Sequence, residues 1–135
     1  MKIYIAYRFS GQDKDELKNS LSKISKVLTD AGHETFIFFR DEQNWGETTM
    51  PPKEIILSAF RHVESNDCLL AIQNSAEKSE GLLLEVGYAK GLGKQIVLAI
   101  KQDVSAVFLR GVADKIIEYN SDEELLELLK QKFTR

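Results

Sequence analysis

The sequence predicts an α/β protein with a doubly wound, five-stranded parallel sheet in the flavodoxin-like (Rossmann-like) order 2-1-3-4-5. Strand-like and helix-like segments alternate along the whole chain, five segments have the character of strands, and these strands are almost continuous apolar runs. Such runs are typical of parallel sheets that helices cover on both faces. With 135 residues the chain is long enough to bury a core, and we expect a single domain, 1–135.

The strands and the first helix can be predicted from residue types. Asp13 and Glu16 form a capping-box-like pair, apolar residues then recur at helical spacing, and Gly32 ends this helix. Short apolar segments rich in β-branched and aromatic residues predict the strands. The predicted strands are residues 2–6, 34–39, 68–72, 95–100 and 115–118.

The other connections contain three predicted helices, one long loop and one mixed segment. Residues 40–52 form a polar connection that is long for a compact domain, and such connections are often functional. A helix begins at Pro52, another follows the loop 73–78, and Ser121 opens the last helix with a capping box. Residues 104–112 are predicted to be part loop and part short helix.

Composition limits the classes of function. The formal net charge of -3 argues against broad binding to nucleic acids or membranes but allows a local anion site. No apolar stretch approaches the roughly 20 residues of a membrane span. Cys68 is the only cysteine, which excludes an internal disulfide and is typical of the reducing cytoplasm, where we expect the protein. His33 and His62 are too scattered for a metal site, and surface or boundary positions are expected for both. We expect neither a metal nor another cofactor.

Glu85 is the only charged residue between Gly81 and Ala89. On a helix its neighbours three and four positions away are Gly81, Leu82, Tyr88 and Ala89, so the face that carries Glu85 is small or apolar. An ionised carboxylate on an inward face is costly unless it has a partner, which makes Glu85 a candidate for chemistry. The alternative is an ordinary surface glutamate.

Glu85 is expected near the edge of the sheet where ligands bind. In doubly wound sheets that edge lies beyond the carboxyl ends of the strands, at the point where the strand order reverses. The loops 7–11 and 73–79 and the chain from Lys101 onward meet there. Ser79, at the start of the Glu85 helix, can be an N-cap or, since helix N-termini attract anions, part of an anion site.

Two segments carry a family resemblance. The strand K-I-Y-I-A at 2–6 and the segment S-E-G-L-L-L-E-V-G-Y-A-K-G-L-G-K at 79–94 resemble the nucleoside 2-deoxyribosyltransferase superfamily, which includes the 2'-deoxynucleoside 5'-monophosphate N-hydrolases. The similarity in spacing covers most of the chain, and its most specific part is G-x-x-x-E-x-G-x-A at 81–89. The resemblance implies that Glu85 is the nucleophile and that Tyr4 helps to orient it.

Two further features are similar to the monophosphate hydrolases. The transferases usually have Asp six positions before the nucleophile, whereas the hydrolases have a phosphate-binding Ser, and this chain has Ser79. Residues 104–114 are similar to the hydrolase segment that lends a phosphate-binding serine to the neighbouring subunit, and Ser105 matches that serine, although this segment is one residue longer. The resemblance therefore implies a homodimer, and it assigns Gly11 to the phosphate cradle of the first loop.

The chain also departs from the family pattern. Tyr7 stands where the first loop of the family often has Gly, so its ring is expected to narrow the sugar pocket. The family's aspartate that helps to handle the base is missing, because the matching region is Ser58-Ala59, and Asp67 lies at the opposite edge of the sheet. The candidates to replace it are Glu42, Glu47 and Glu54.

The resemblance implies cleavage of the N-glycosidic bond of a (2'-deoxy)nucleoside 5'-monophosphate, with free nucleosides as the other possible substrate class. Glu85 would form a covalent glycosyl ester, and water would release the sugar phosphate. Phe9 or Trp45 is expected either to stack on the base or to anchor a loop. Besides Glu85 and Tyr4, the expected site residues are Arg8, Phe9, Ser10, Gly11, Trp45, Ser79, Gly81 and Ser105.

Three other functions fit the same residues. A nucleoside 2-deoxyribosyltransferase would exchange bases between nucleosides. A catalytically silent nucleotide-binding or signalling module would be consistent with the missing aspartate. Cleavage of the nicotinamide bond of NAD would resemble the TIR-like domains, which use a glutamate on a similar fold. Four outcomes distinguish these functions. A hydrolase releases free base, a transferase exchanges bases, a silent module binds nucleotides without releasing base, and an NAD-cleaving enzyme releases nicotinamide.

Overall fold

The computed structural model describes residues 1–134, and its five strands form one parallel sheet in the order β2-β1-β3-β4-β5. The predicted fold class and strand order are confirmed. The strands are β1 Lys2–Tyr7, β2 Glu34–Ile37, β3 Cys68–Gln73, β4 Gln95–Lys101 and β5 Lys115–Tyr119. The helices are α1 Lys14–Asp30, α2 Phe38–Asp41, α3 Pro52–Ser65, α4 Glu80–Gly91, α5 Val107–Val112 and α6 Asp122–Phe133.

Helices cover both faces of the sheet, so each face has its own core. Ile3 and Ile5 of β1 pack on the side of α1 and α6, whereas Tyr4 and Ala6 pack on the side of α3, α4 and α5. This alternation follows from strand geometry, because successive side chains point to opposite faces of the sheet. Tyr4 therefore faces the layer of helices that contains Glu85.

The second strand ends earlier than predicted. β2 stops at Ile37, and Phe38 and Phe39, which were predicted as strand residues, begin the short helix α2. The carboxylate of Asp41 accepts a hydrogen bond from the backbone N–H of Ile37 at 2.9 Å and so closes a tight turn. This local bond outweighs the β propensity of the two phenylalanines, whose rings remain buried.

Two segments with weak sequence patterns contain short helical pieces. The connection 40–52 includes the end of α2 and a 3-10 turn at Asn44–Gly46, in which Trp45 adopts a left-handed conformation with φ of 56°. The segment 104–112 is a loop followed by the helix α5, as predicted. Both segments lie between a strand and the next element of the fold, where sequence periodicity is too short to define a helix.

The predicted helix starts are confirmed by their capping hydrogen bonds. Side-chain oxygens of Asp13, Ser79 and Ser121 accept hydrogen bonds from backbone N–H groups three residues later, at 3.0, 3.2 and 3.2 Å. Such a bond satisfies one of the N–H groups that the first turn of a helix leaves free. In α4 the cap fixes the first residue of the helix and therefore which residues of its second turn face the sheet.

His33 is buried, which corrects the predicted surface or boundary position. Its Nδ1 lies 2.9 Å from the amino nitrogen of Met1, and its Nε2 lies 2.7 Å from the carbonyl oxygen of Phe133. Burial is tolerated because both ring nitrogens have polar partners. His62 keeps the predicted boundary position, with its side chain 31% exposed on α3.

Candidate active site

The centre of the candidate site is a hydrogen bond between Tyr4 and Glu85. The Tyr4 hydroxyl donates to Oε2 of Glu85, which joins the middle of β1 to the second turn of α4. Tyr4 is buried, and its ring stacks on Phe36 of β2 with centroids 5.3 Å apart. The carboxylate of Glu85 is thus partly buried and held against the sheet rather than extended into solvent.

The surroundings of this pair place the ionisation of Glu85 close to neutral pH. Burial raises the pKa of Glu85 to about 7, and the hydrogen bond from Tyr4 opposes this rise. Burial and the negative charge of Glu85 raise the pKa of the Tyr4 hydroxyl far above its ordinary value, so Tyr4 remains a proton donor. A carboxyl group of this kind can act as an ionised nucleophile near pH 7 and above.

The raised pKa of Glu85 also predicts how Glu85 affects stability. The folded protein binds the Glu85 proton more tightly than the unfolded chain, so its stability falls as the pH rises from about 4.5 through about 7. Glu85→Gln removes this penalty. We expect the gain in the free energy of unfolding of Glu85→Gln over the unmodified protein to be larger at pH 8 than at pH 5, by on the order of 2 kcal/mol. Urea unfolding of both proteins at the two pH values measures the difference.

The matched control for this prediction is Glu80→Gln. Glu80 lies in the first turn of the same helix and is exposed. This variant should unfold with the same pH dependence as the unmodified protein. Equal stabilisation of Glu85→Gln at pH 5 and pH 8 would show that Glu85 does not carry a buried charge.

Arg8 and Gly11 form a second group in the first loop. Nη1 of Arg8 donates to the carbonyl oxygen of Ser10 at 2.6 Å and to Oε2 of Glu77 at 2.9 Å. Gly11 has φ of +78°, and a Cβ atom at this position would lie 3.1 Å from Nη1 of Arg8. Glycine is favoured here because of the left-handed conformation, and the guanidinium of Arg8 packs closely against it. Tyr7, Arg8 and Gly11 line a cavity of about 330 Å³.

Ser79 and Ser105 form a third group, at the start of α4. Both line a cavity of about 430 Å³ on the α4 and α5 side of the chain. The Ser79 hydroxyl accepts its capping bond from the N–H of Leu82, which leaves its own proton free to donate. The loop around Ser105 is held by Arg110, which donates to the carbonyl oxygens of Ser105 at 2.7 Å and Val104 at 2.6 Å. The two predicted phosphate-binding serines of one chain therefore line the same cavity.

Phe9 and Trp45 pack around Phe39. Their rings contact Phe39 edge to face, with centroids 5.1 Å and 5.4 Å from it. Phe39 and Trp45 belong to the core on the α1 and α6 side, opposite to Tyr4. In the structure both rings anchor loops, which was one of the two roles expected for them. Base stacking by Phe9 or Trp45 stays a prediction.

The structure thus brings the expected residues together in four groups, one of them the aromatic pair on Phe39, rather than in one closed cavity. Tyr4 and Glu85 do not line the cavity of Arg8 and Gly11 or that of Ser79 and Ser105. Gly81 is exposed on α4, and a Cβ atom there would contact nothing within 4 Å, so the space beside the first turn of the helix is open.

Comparison with known proteins assigns the family. The model of the nucleoside 2-deoxyribosyltransferase family matches residues 3–126. The chain belongs to the nucleoside 2-deoxyribosyltransferase family. This confirms the predicted superfamily and the predicted class, enzymes that act on N-glycosyl bonds. A search of curated protein sequences gives no significant match.

Solved structures of related proteins have the same fold. A CMP N-glycosidase from Clostridium botulinum is 19% identical, with 98% of this chain and 99% of that chain covered and a TM-score of 0.73. A 2-deoxyribosyltransferase from Bacillus psychrosaccharolyticus is 20% identical, with 93% and 90% covered and a TM-score of 0.69. A deoxyribosyltransferase from Leishmania mexicana is 19% identical, with 73% and 63% covered and a TM-score of 0.59. At these identities the similarity shows the shared fold.

Glu42 is the one of the three candidates for the aspartate expected at 58–59 that is linked to Tyr4, through His62 and Phe36. Ser58 and Ala59 are buried and carry no charge. Among the three candidates, Glu42 accepts a hydrogen bond from Nε2 of His62 at 2.7 Å, and the His62 ring stacks on Phe36, the residue that also stacks on Tyr4.

The other two candidates have no such connection. Glu47 accepts a hydrogen bond from Asn44 at 2.7 Å, and Glu54 is exposed in the first turn of α3. Within residues 1–134, no three His, Cys, Asp or Glu side chains lie together in a way that could hold a metal ion, and no helix is long and apolar enough to cross a bilayer.

Phe36 and Glu77 are site residues that sequence reasoning missed. Phe36 pairs with Tyr4 in the register of β1 and β2, so its stacking position follows from the predicted strand pairing. Glu77 lies in the loop before α4 and contacts Arg8, which is 69 positions away. No local pattern marks such a contact.

Proposed function

We propose that the protein hydrolyses the N-glycosidic bond of (2'-deoxy)nucleoside 5'-monophosphates through a covalent glycosyl ester on Glu85. The observation that carries this proposal is the bond from the buried Tyr4 hydroxyl to the Glu85 carboxylate, which fixes one oxygen and leaves Oε1 for attack. The proposal is also supported by membership of the nucleoside 2-deoxyribosyltransferase family and by the fold shared with a CMP N-glycosidase.

The proposed reaction has two steps. In the first, Oε1 of Glu85 attacks C1' of the sugar while the bond from C1' to the base nitrogen breaks, and the departing base takes up a proton from water. In the second, a water oxygen attacks C1', the ester bond breaks, and Glu85 returns as a carboxylate with release of the sugar phosphate; the proton lost by this water neutralises the hydroxide left by the first step. Tyr4 keeps the carboxylate aligned in both steps, since a fixed nucleophile avoids much of the entropic barrier.

A chromatographic screen tests this function. Common nucleosides, 2'-deoxynucleosides and their 5'-monophosphates are incubated with the protein and assayed for free base, with NAD as an additional substrate. Free base from monophosphates, in water alone, is the expected result. Base exchange that requires an added acceptor base would identify a transferase. Release of nicotinamide from NAD would identify an enzyme that cleaves NAD. Binding of monophosphates without release of base would identify a silent module.

Ser79 is proposed to bind the 5'-phosphate while it caps α4. Ser79→Asp separates the two roles, because aspartate is an equally good N-cap but its carboxylate repels a phosphate dianion. We expect the KM for deoxynucleoside monophosphates to rise by about tenfold or more and the midpoint of thermal unfolding to stay unchanged. Steady-state kinetics and a melting curve measure both quantities.

Two results bear on the Ser79 prediction. The rate with free nucleosides, whatever its level in the unmodified protein, should be the same in Ser79→Asp, since these substrates carry no phosphate. An unchanged KM for monophosphates would contradict a phosphate contact at Ser79 and leave only its capping role.

We further propose that the active form is a cytoplasmic homodimer in which the 104–114 segment contacts the neighbouring subunit. Support comes from Phe108 and Val107 of α5, which are 88% and 71% exposed beside the cavity of Ser79 and Ser105. Neighbouring exposed apolar side chains that form a contiguous patch are typical of protein interaction surfaces. Phe108→Glu is expected to give a monomer in sedimentation-velocity experiments, because it places a charge in the proposed interface.

The control for the dimer prediction is Leu92→Glu. Leu92 is 45% exposed just after the last turn of α4, away from the cavity of Ser79 and Ser105. This variant should keep the oligomeric state of the unmodified protein. A dimer that persists in Phe108→Glu would place the interface elsewhere.

A further inference from the structure

Arg8 is a mostly buried cation with unused hydrogen-bonding capacity. Its side chain is 11% exposed, and within residues 1–134 its hydrogen bonds leave only from Nη1, to Ser10 and Glu77. Nε of Arg8 is buried and has no partner among the described residues. A guanidinium carries five N–H donors, and a buried donor without an acceptor is costly. The Arg8 guanidinium therefore lacks hydrogen-bond acceptors in the free protein.

Glu77 is a weak partner for this cation. Its side chain is 72% exposed, and one oxygen contacts one nitrogen of Arg8 at 2.9 Å instead of forming a two-pronged pair. A well-solvated carboxylate loses little when such a contact breaks. The carboxylate also lies against the first loop, because a Cβ atom on Gly11 would be 3.5 Å from Oε2 of Glu77.

The backbone of Glu77 is held more firmly than its side chain. Nε2 of the buried Gln73 donates to the carbonyl oxygens of Ser75 at 2.6 Å and of Glu77 at 2.9 Å. A second link joins the same two loops, since Nδ2 of Asn74 donates to Oε1 of Gln12 at 3.1 Å. The carboxylate of Glu77 can therefore leave Arg8 by rotation of its own side chain, without movement of the loop.

We propose that the Glu77 carboxylate is a place-holder for the 5'-phosphate. In the free protein the carboxylate binds the Arg8 guanidinium, and the phosphate of a bound substrate displaces it. The inference rests on the proposed function. A phosphate dianion carries a charge of about -1.5 to -2 and three acceptor oxygens, so it can bond two nitrogens of a guanidinium at once. Glu77 thereby weakens the binding of phosphorylated ligands by competition, whereas a sugar without phosphate does not compete for Arg8 and is unaffected.

Binding of 2-deoxyribose 5-phosphate, measured by titration calorimetry at constant ionic strength, tests the place-holder. Glu77→Gln removes the competing charge and keeps the shape, so we expect the Kd for this sugar phosphate to fall about fivefold. The affinity for 2-deoxyribose should not change. The control Glu80→Gln makes the same change in net charge three residues away, and its effect should stay below about twofold.

A double variant locates the effect at Arg8. The gain from Glu77→Gln should disappear when Arg8→Gln is already present, because the carboxylate then has no cation to occupy. Equal effects of Glu77→Gln and Glu80→Gln, an unchanged or weaker affinity in Glu77→Gln, or no binding of the sugar phosphate to either protein would overturn the place-holder.

This experiment is independent of catalysis. Tighter binding in Glu77→Gln together with no release of base from any monophosphate would overturn the proposed function and leave the place-holder standing. Release of base from monophosphates with no effect of Glu77→Gln on binding would overturn the place-holder alone.

Discussion

Replacing Glu85 by glutamine is expected to reduce the rate of base release from deoxynucleoside monophosphates by about 10⁴-fold or more. An amide has almost the same shape as the carboxylate and can accept the same hydrogen bond from Tyr4, but it is uncharged and a very weak nucleophile. Substrate affinity should change little, since the proposed phosphate-binding residues are unchanged. Single-turnover kinetics at saturating substrate measure the loss in the chemical step.

Two comparisons make the Glu85→Gln result specific. Glu80→Gln, in the preceding turn of α4, should keep the rate of the unmodified protein to within about threefold. Circular dichroism and urea unfolding of Glu85→Gln should show a folded protein, and the higher stability expected at pH 8 would exclude unfolding as the cause. Base release at the unmodified rate in Glu85→Gln would remove Glu85 as the nucleophile.

Replacing Tyr4 by phenylalanine is expected to have the second largest effect, a loss of about 10²-fold in kcat/KM at pH 6. The Tyr4 hydroxyl donates to the Glu85 carboxylate and lowers its pKa against the effect of burial. Without the hydroxyl, the pKa of Glu85 rises above about 7, and a smaller fraction of the enzyme carries the ionised nucleophile at a given pH. The loss should therefore shrink as the pH rises toward 9.

The measurement for Tyr4→Phe is the pH dependence of kcat/KM between pH 5 and pH 9. Activity of the unmodified protein should rise with pH to a plateau, with a midpoint near the pKa of Glu85 of about 7, and the midpoint of Tyr4→Phe should lie higher. Tyr88→Phe is the control, because its hydroxyl donates to Glu64 instead of Glu85. Identical midpoints for Tyr4→Phe and the unmodified protein would contradict the coupling of Tyr4 to Glu85.

The position of Glu85 was predictable because it depends on helical periodicity alone. Small or apolar residues three and four positions away turn this face of α4 inward, and the structure has Glu85 partly buried against the sheet. The partner Tyr4 was predicted only through the family resemblance. Strand alternation places Tyr4 on the α4 face of β1, but periodicity does not identify the helix residue that its hydroxyl reaches.

Contacts between loops were not predictable from local patterns. The pair of Arg8 and Glu77 joins two loops that are far apart in sequence, and nothing near either residue indicates the other. The early end of β2 was missed for a similar reason, because one carboxylate, that of Asp41, turns the chain where two aromatic residues favour a strand. Single side-chain hydrogen bonds determine such loop contacts and strand ends, and the average residue preferences of a segment do not reveal them.

The nucleophilic role of Glu85 is tested most directly by isolating the glycosyl ester. A deoxynucleoside monophosphate with fluorine at C2' slows both steps by withdrawing electrons from C1', and an activated base as leaving group makes the second step the slower one. Intact-mass spectrometry should show one sugar phosphate added per chain. After digestion at Lys78 and Lys90, tandem mass spectrometry should assign this mass to Glu85. Stoichiometric release of base with residues 79–90 unmodified would contradict a covalent role for Glu85.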